Sequence, residues 1–99
     1  MKIVAVTACP TGIAHTYMAA EQLEKPARRL GHTIKVETQG SMGIENELTP
    51  EDIVEASCAI FAVSLPVRNV ERFAGIRIVE VPVQEALRNP EAIFAQLDR

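Results

Sequence analysis

Cys9 is the residue of this 99-residue chain whose surroundings best suit covalent chemistry. It follows an apolar, β-branched run at residues 2–8 and precedes Pro10, Thr11 and Gly12, with a helical pattern opening at about Ile13. A loop between a strand end and a helix start turns backbone N–H groups inward, and the helix adds its positive N-terminal end. Both features stabilise an anion, whether a bound phosphate or a thiolate. Gly12 lets the backbone approach a ligand with no Cβ in the way. Thr11, His15 and Thr16 bring hydroxyl and imidazole groups nearby. The residues describe a nucleophilic cysteine inside an anion cradle.

A lone cysteine after a strand is more often a small buried hydrophobe. The Pro-Thr-Gly loop and the helix start separate Cys9 from that case. Cys58 opens an apolar strand and reads as inert packing, and the two cysteines lack the Cys-x-x-Cys spacing of a redox site. His15 stands open between two roles, contacting the phosphate or capping and packing at the helix start. His32 follows a helix end, where a solvated cation is the ordinary explanation.

Three enzyme classes use such a loop. A phosphatase of the low-molecular-weight tyrosine type needs Cys-x5-Arg. Five residues separate Cys9 from His15, which stands where that arginine would be, so the forked guanidinium is missing. An Asp-Pro pair for the general acid is also missing. An arsenate reductase of that type needs the same arginine and further cysteines. A protein that carries the phosphoryl group without hydrolysing it needs a nucleophile and a cradle alone, and fits best.

The elements that must position Cys9 alternate along the chain. Strands are expected at residues 2–8, 33–38, 58–64 and 77–81. A helix is expected over residues 13–30, with Ile13, Tyr17, Ala20, Ala27 and Leu30 as its apolar stripe, Gly31 just beyond its end, and Pro26 kinking or dividing its last turns. Residues 39–48 read as a loop. Thr49, Pro50, Glu51 and Asp52 start a short helix. Residues 69–74 form a turn of helix, and helices at 83–88 and from Pro90 to about Leu97 follow. The expectation is an α/β fold: one small three-layer domain over residues 1–99, a four-stranded parallel sheet in the order 2-1-3-4, and helices on both faces. Ligands of such sheets bind beyond the carboxyl ends of the strands at the switch point beside strand 1, where Cys9 stands.

Composition narrows the function. Ten Lys+Arg against thirteen Asp+Glu give a net charge of −3, and aromatics make up 4% of the chain, so no nucleic-acid footprint is present. No apolar run approaches the roughly 20 residues that span a bilayer. The apolar start is too short for a signal peptide, and a cytoplasmic location is expected. Two cysteines and two histidines offer no metal-ligand pattern, and no cofactor is implied.

At this point a family resemblance becomes visible. The stretch Ile3-Val-Ala-Val-Thr-Ala-Cys-Pro-Thr-Gly-Ile-Ala-His-Thr-Tyr-Met-Ala-Ala-Glu21 closely resembles the active-site segment of the fructose-type EIIB component of the bacterial phosphoenolpyruvate:sugar phosphotransferase system. Val36-Glu-Thr-Gln-Gly-Ser-Met-Gly43 matches a second segment, and Glu71-Arg-Phe-Ala-Gly75 matches more loosely. The chain departs from the family pattern at Ser64-Leu-Pro66 and at Ile76-Arg77.

The resemblance implies a mechanism. Cys9 would take a phosphoryl group from the phosphohistidine of an EIIA partner. It would pass the group to fructose or a fructose-like sugar held by the membrane component EIIC. Pro10, Thr11, Gly12, Ile13, Ala14, His15 and Thr16 would surround the phosphate. Glu37, Thr38, Gln39, Gly40, Ser41 and Gly43 would form a neighbouring loop that lines the site or the partner surface. The plainer reading of that second loop is a tight turn that needs Gly40 and Gly43 for backbone reasons. The competing functions are a regulatory or degenerate EIIB-like binding domain and, further off, a cysteine phosphatase.

Overall fold

A strand with no polar face needs cover on both sides, and the first run of the chain receives it. The computed structural model describes residues 1–9, 13–40 and 43–97, with the backbone alone at Ile13 and Ala14. Strand β1 (Lys2–Ala8) lies at the centre of the sheet, buried from Ile3 onward. It is followed by helix α1 (Ile13–Arg29), β2 (Thr33–Gly40), β3 (Gly43–Glu45), α2 (Pro50–Glu55), β4 (Cys58–Val63), a 3-10 turn (Val70–Phe73), β5 (Arg77–Val81), α3 (Val83–Arg88) and α4 (Pro90–Leu97). The sheet order is β3-β2-β1-β4-β5. β1 pairs in parallel with β2 and β4, and β4 pairs in parallel with β5.

The four expected parallel strands are therefore present in the expected order, and among the described residues the sheet has one strand more. β2 runs on to Gly40, and β3 returns antiparallel along it, pairing Thr38 with Glu45 and Gln39 with Ile44. Residues 39–48 are thus only partly a loop. β3 is too short to show the alternation of a strand, and Gly43 sits at φ +93°, in the left-handed region that favours glycine.

Alternation along β1 divides the core. Ile3 and Ala5 face α1, α3 and α4, packing with Ala19, Leu23, Ala86 and Phe94. Val4 and Val6 face the other way, onto Ile53 of α2 with Leu48, Phe61 and Phe73. The Phe61 and Phe73 rings meet edge to face at 4.9 Å, a contact worth about 0.5–1.5 kcal/mol beyond its buried area.

Helix α1 buries only part of the expected stripe: Ala27 is buried and Ala20 packs against the core. Thr16, Ala19, Leu23 and Ala27 face the sheet, while Tyr17 and Leu30 are exposed at 42% and 52%. The small Ala19 and Ala27 permit close approach to the sheet. Tyr17 stays at the rim and donates its hydroxyl hydrogen to the Glu45 carboxylate of β3. Pro26 does not divide the helix: it is buried within α1, and the Leu30 N–H donates to its carbonyl at 2.9 Å. The helix closes with Gly31 at φ +83°, the His32 N–H donating to Ala27 O and the Gly31 N–H to Arg28 O, which is the Schellman arrangement.

The second helix starts as its sequence requires. Thr49 and Asp52 form a reciprocal capping box, with Pro50 at the first helical position. Among the described residues no helix is long and apolar enough to cross a membrane.

Candidate active site

β1 ends at Ala8, and its carbonyl is held by the Ser64 N–H at 2.8 Å, just beyond β4. Cys9 follows, 5% exposed, at the carboxyl edge of the central strand. The next turn of chain is tied back to the same strand: Thr7 Oγ1 donates to the carbonyl of Thr16 in α1 at 3.0 Å, and both threonines are buried. His15 belongs to the first turn of α1. Its ring is exposed, and its Nδ1 lies 3.7 Å from Cys9 Sγ. The sulfur therefore has an imidazole at hydrogen-bonding range and lies beside the start of a 17-residue helix.

Cys9 lines a pocket of about 220 Å³ together with Ala8, Gln39, Gly40, Leu65, Pro66 and Arg68. The strand order explains the meeting. β2 and β4 flank β1, so the end of β2 and the segment after β4 both arrive beside the end of β1. A more open groove of about 510 Å³ adjoins through the shared Leu65 and Pro66, and Cys9 does not line it.

The residues of the expected second loop separate. Glu37, Thr38, Gln39 and Gly40 belong to strand β2, and Gly43 begins β3. Gln39 and Gly40 reach the cysteine pocket, with Gly40 also close to Thr16. Thr38 points to the α1 side, in a separate groove with Tyr17 and Glu45. Glu37 is fully buried and does not line the pocket. Pro10, Thr11, Gly12 and Ser41, and the side chains of Ile13 and Ala14, lie outside the described residues.

A buried carboxylate must be paired, and Glu37 is paired completely. Arg72 donates to both of its oxygens, Nη1 to Oε1 and Nη2 to Oε2, each at 3.0 Å. The Leu48 N–H donates to Oε1 at 2.9 Å and Gln39 Nε2 to Oε2 at 2.6 Å. Burial pushes the Glu37 carboxyl upward, but the donors from Arg72, Gln39 and Leu48 outweigh it and hold the group below the usual carboxylate range. The far cysteine behaves differently. Burial pushes the Cys58 thiol up, against the weaker pull of Arg77 and the N-terminus, as suits a sulfur that only packs.

Leu65, Pro66 and Arg68 line the pocket, and no motif of the sequence singles them out for it. The one local signal is Glu37, a carboxylate in a strand expected to pair beside the buried β1, which has to find a cation.

Comparison with known proteins decides the family. The sequence model described as "PTS system, Lactose/Cellobiose specific IIB subunit" matches residues 4–96. The chain belongs to the PTS EIIB family. It is 50% identical over 97 residues to the PTS system fructose-like EIIB component 2 of Escherichia coli strain K12, covering 98% of this chain and 92% of that one. It is 52% identical over 94 residues to the 2-O-alpha-mannosyl-D-glycerate-specific EIIABC component of the same strain, covering 95% of this chain and 14% of that longer protein. Among solved structures, a domain of the fructose-specific IIABC component from Borrelia burgdorferi superposes with a TM-score of 0.92 at 50% identity, covering 96% of this chain and 90% of that one. EIIB components are phosphotransferases that work with EIIA and EIIC, so this EIIB chain is a phosphoryl-transfer component of a sugar phosphotransferase system.

Proposed function

We propose that Cys9 is the phosphoryl carrier of this EIIB, loaded by a fructose-type EIIA and discharged onto fructose or a fructose-like sugar bound by a membrane EIIC. Residues 1–99 act as one EIIB domain, and the work is done in the cytoplasm. The observation that carries the reading is the position of Cys9. Its sulfur stands at the carboxyl edge of the central strand, beside a helix start, on a pocket of about 220 Å³. His15 Nδ1 is 3.7 Å away.

Each transfer exchanges one bond for another. In loading, Cys9 Sγ attacks phosphorus, the S–P bond forms, and the N–P bond of the EIIA phosphohistidine breaks. The departing imidazole keeps the electron pair and takes up the thiol proton, with His15 as the relay. In discharge, a sugar hydroxyl attacks phosphorus, the O–P bond forms, and the sulfur leaves with the S–P electron pair while the hydroxyl proton is released. Such transfers need positioning and charge stabilisation more than covalent assistance. Backbone N–H groups at a helix start supply the latter. The loop residues Pro10, Thr11, Gly12, Ile13, Ala14, His15 and Thr16 surround the phosphoryl group, with Gln39 and Gly40 on the neighbouring wall. Hydrolysis is disfavoured by His15 standing where a phosphatase carries its arginine.

The test is reconstitution with phosphoenolpyruvate, the general phosphotransferase proteins, a fructose-type EIIA and vesicles bearing EIIC. Sugar phosphate should form only when the chain is present and should vanish with Cys9→Ala. Loading of the chain with no sugar phosphate from fructose or from related sugars would instead favour a regulatory role.

A further inference from the structure

Arg72 joins three separate stretches of chain behind the cysteine pocket. Its fork holds Glu37 of β2. Its Nη1 lies 3.4 Å from the Leu48 carbonyl, before α2. Its Nε donates to the Asn69 carbonyl at 3.0 Å, and its Nη2 lies 3.4 Å from the Arg68 carbonyl. Gln39 completes the link. Its Oε1 accepts from the Arg68 N–H at 2.9 Å, and its Nε2 donates to Glu37 and lies 3.4 Å from the Arg68 carbonyl. The backbone of residues 68–69 is therefore held from two sides, and Asn69 is kept at φ +56°, a conformation an L-residue adopts at a cost. Gln39 and Arg68, the two ends of this clamp, both line the pocket with Cys9, as do Leu65 and Pro66 shortly before Arg68 in the chain.

We propose that Arg72 is a positioning residue for phosphoryl transfer, fixing Arg68 and Asn69 against Gln39 so that this wall of the Cys9 pocket is in place before a partner arrives. The inference rests on Cys9 being the carrier. Arg72 is 35 residues from its carboxylate partner and does not itself line the pocket. Its effect reaches the sulfur through Glu37, Gln39 and Arg68. A buried ion pair contributes little net stability compared with an apolar pair, and here its fork fixes a direction that an apolar pair would leave loose.

The test measures the rate of loading by phosphorylated EIIA for the wild type, Arg72→Lys and the double variant Glu37→Gln/Arg72→Gln, with folding checked by amide spectra. The double variant should lose at least about tenfold in kcat with KM for EIIA changed by less than about twofold, since misplacement costs rate more than docking. Arg72→Lys, which keeps the charge but loses the fork, should fall between. A folded double variant that loads at the wild-type kcat would overturn the inference, as would a rise in KM alone. In the wild type, the Arg68 amide should show hydrogen exchange slowed by at least about tenfold relative to an open chain; exchange at the open-chain rate also overturns it. Should the wild type itself take no phosphoryl group, the carrier reading fails separately, and the Arg68 exchange still decides whether the clamp exists.

Discussion

The hydroxyl of Thr7 donates to the carbonyl of Thr16 at 3.0 Å, joining the end of β1 to the first turn of α1 across the cysteine loop. Both residues are buried. The bond fixes where the helix starts relative to the strand, and so fixes the two elements between which Cys9 is held. Thr7→Val keeps the shape and removes the donor. It should cost about 1–2 kcal/mol of unfolding free energy, read from denaturant melts, and slow the loading of Cys9.

Glu37 and Arg72 make a second, longer link, and their energetics can be separated by a mutant cycle. Arg72→Gln alone leaves a fully buried carboxylate without its guanidinium and should destabilise the chain by about 3–5 kcal/mol. Glu37→Gln/Arg72→Gln removes both charges and keeps an acceptor for the Leu48 N–H, so it should cost less than the single change. A coupling energy of about 1–3 kcal/mol is expected from the cycle. A double variant less stable than Arg72→Gln would contradict the pairing.

Acid should weaken the fold through Asp52. The side-chain hydrogen bond from Lys35, then the Thr49 N–H, lower its carboxyl from 3.8 to about 2. The unfolded chain binds this proton at the higher pH, so the contribution of Asp52 is fully present above about pH 4 and is lost as pH falls toward 2. Glu37 acts in the same direction. Asp52→Asn should flatten the loss of stability in that window, measured as denaturant midpoints at a series of pH values. An unchanged acid limb would show that Asp52 is not held in this way.

Much of this arrangement is legible in the sequence, and the parts that are not share a physical reason. The central parallel strands announce themselves through apolar runs such as residues 3–6 and Cys58–Val63, and Thr49 with Asp52 states its own helix start. The place of Cys9 at the end of the central strand is legible because the run before it and the helical pattern after it are local. The stripe of α1 is only partly legible: Ala20 and Ala27 do pack on the core, but the buried face turns through Thr16, Ala19 and Leu23, while the amphipathic Tyr17 remains at the rim. β3 has three residues and leaves no period to detect. The Glu37–Arg72 pair spans 35 residues of sequence, and nothing local to either residue names the other.

Gly40 and Gly43 should differ in how well they tolerate a methyl group. At Gly43, with φ +93°, alanine enters the left-handed region and should cost about 1–2 kcal/mol. At Gly40 a Cβ would lie 3.5 Å from Thr16 Oγ1, an ordinary contact, and Gly40→Ala should leave stability within about 1 kcal/mol of the wild type. Thermal or denaturant melts of the two variants decide this directly. A larger loss at Gly40 would mean that β2 and α1 approach more closely than the structure shows.

The central claim is that Cys9 carries the phosphoryl group, and intact mass tests it most directly. The chain is incubated with phosphoenolpyruvate, the general phosphotransferase proteins and a fructose-type EIIA, beside Cys9→Ala and Cys58→Ala. One added phosphoryl group is expected on the wild type and on Cys58→Ala, and none on Cys9→Ala. An adduct that persists in Cys9→Ala, or no adduct on a folded wild-type chain, would contradict the account.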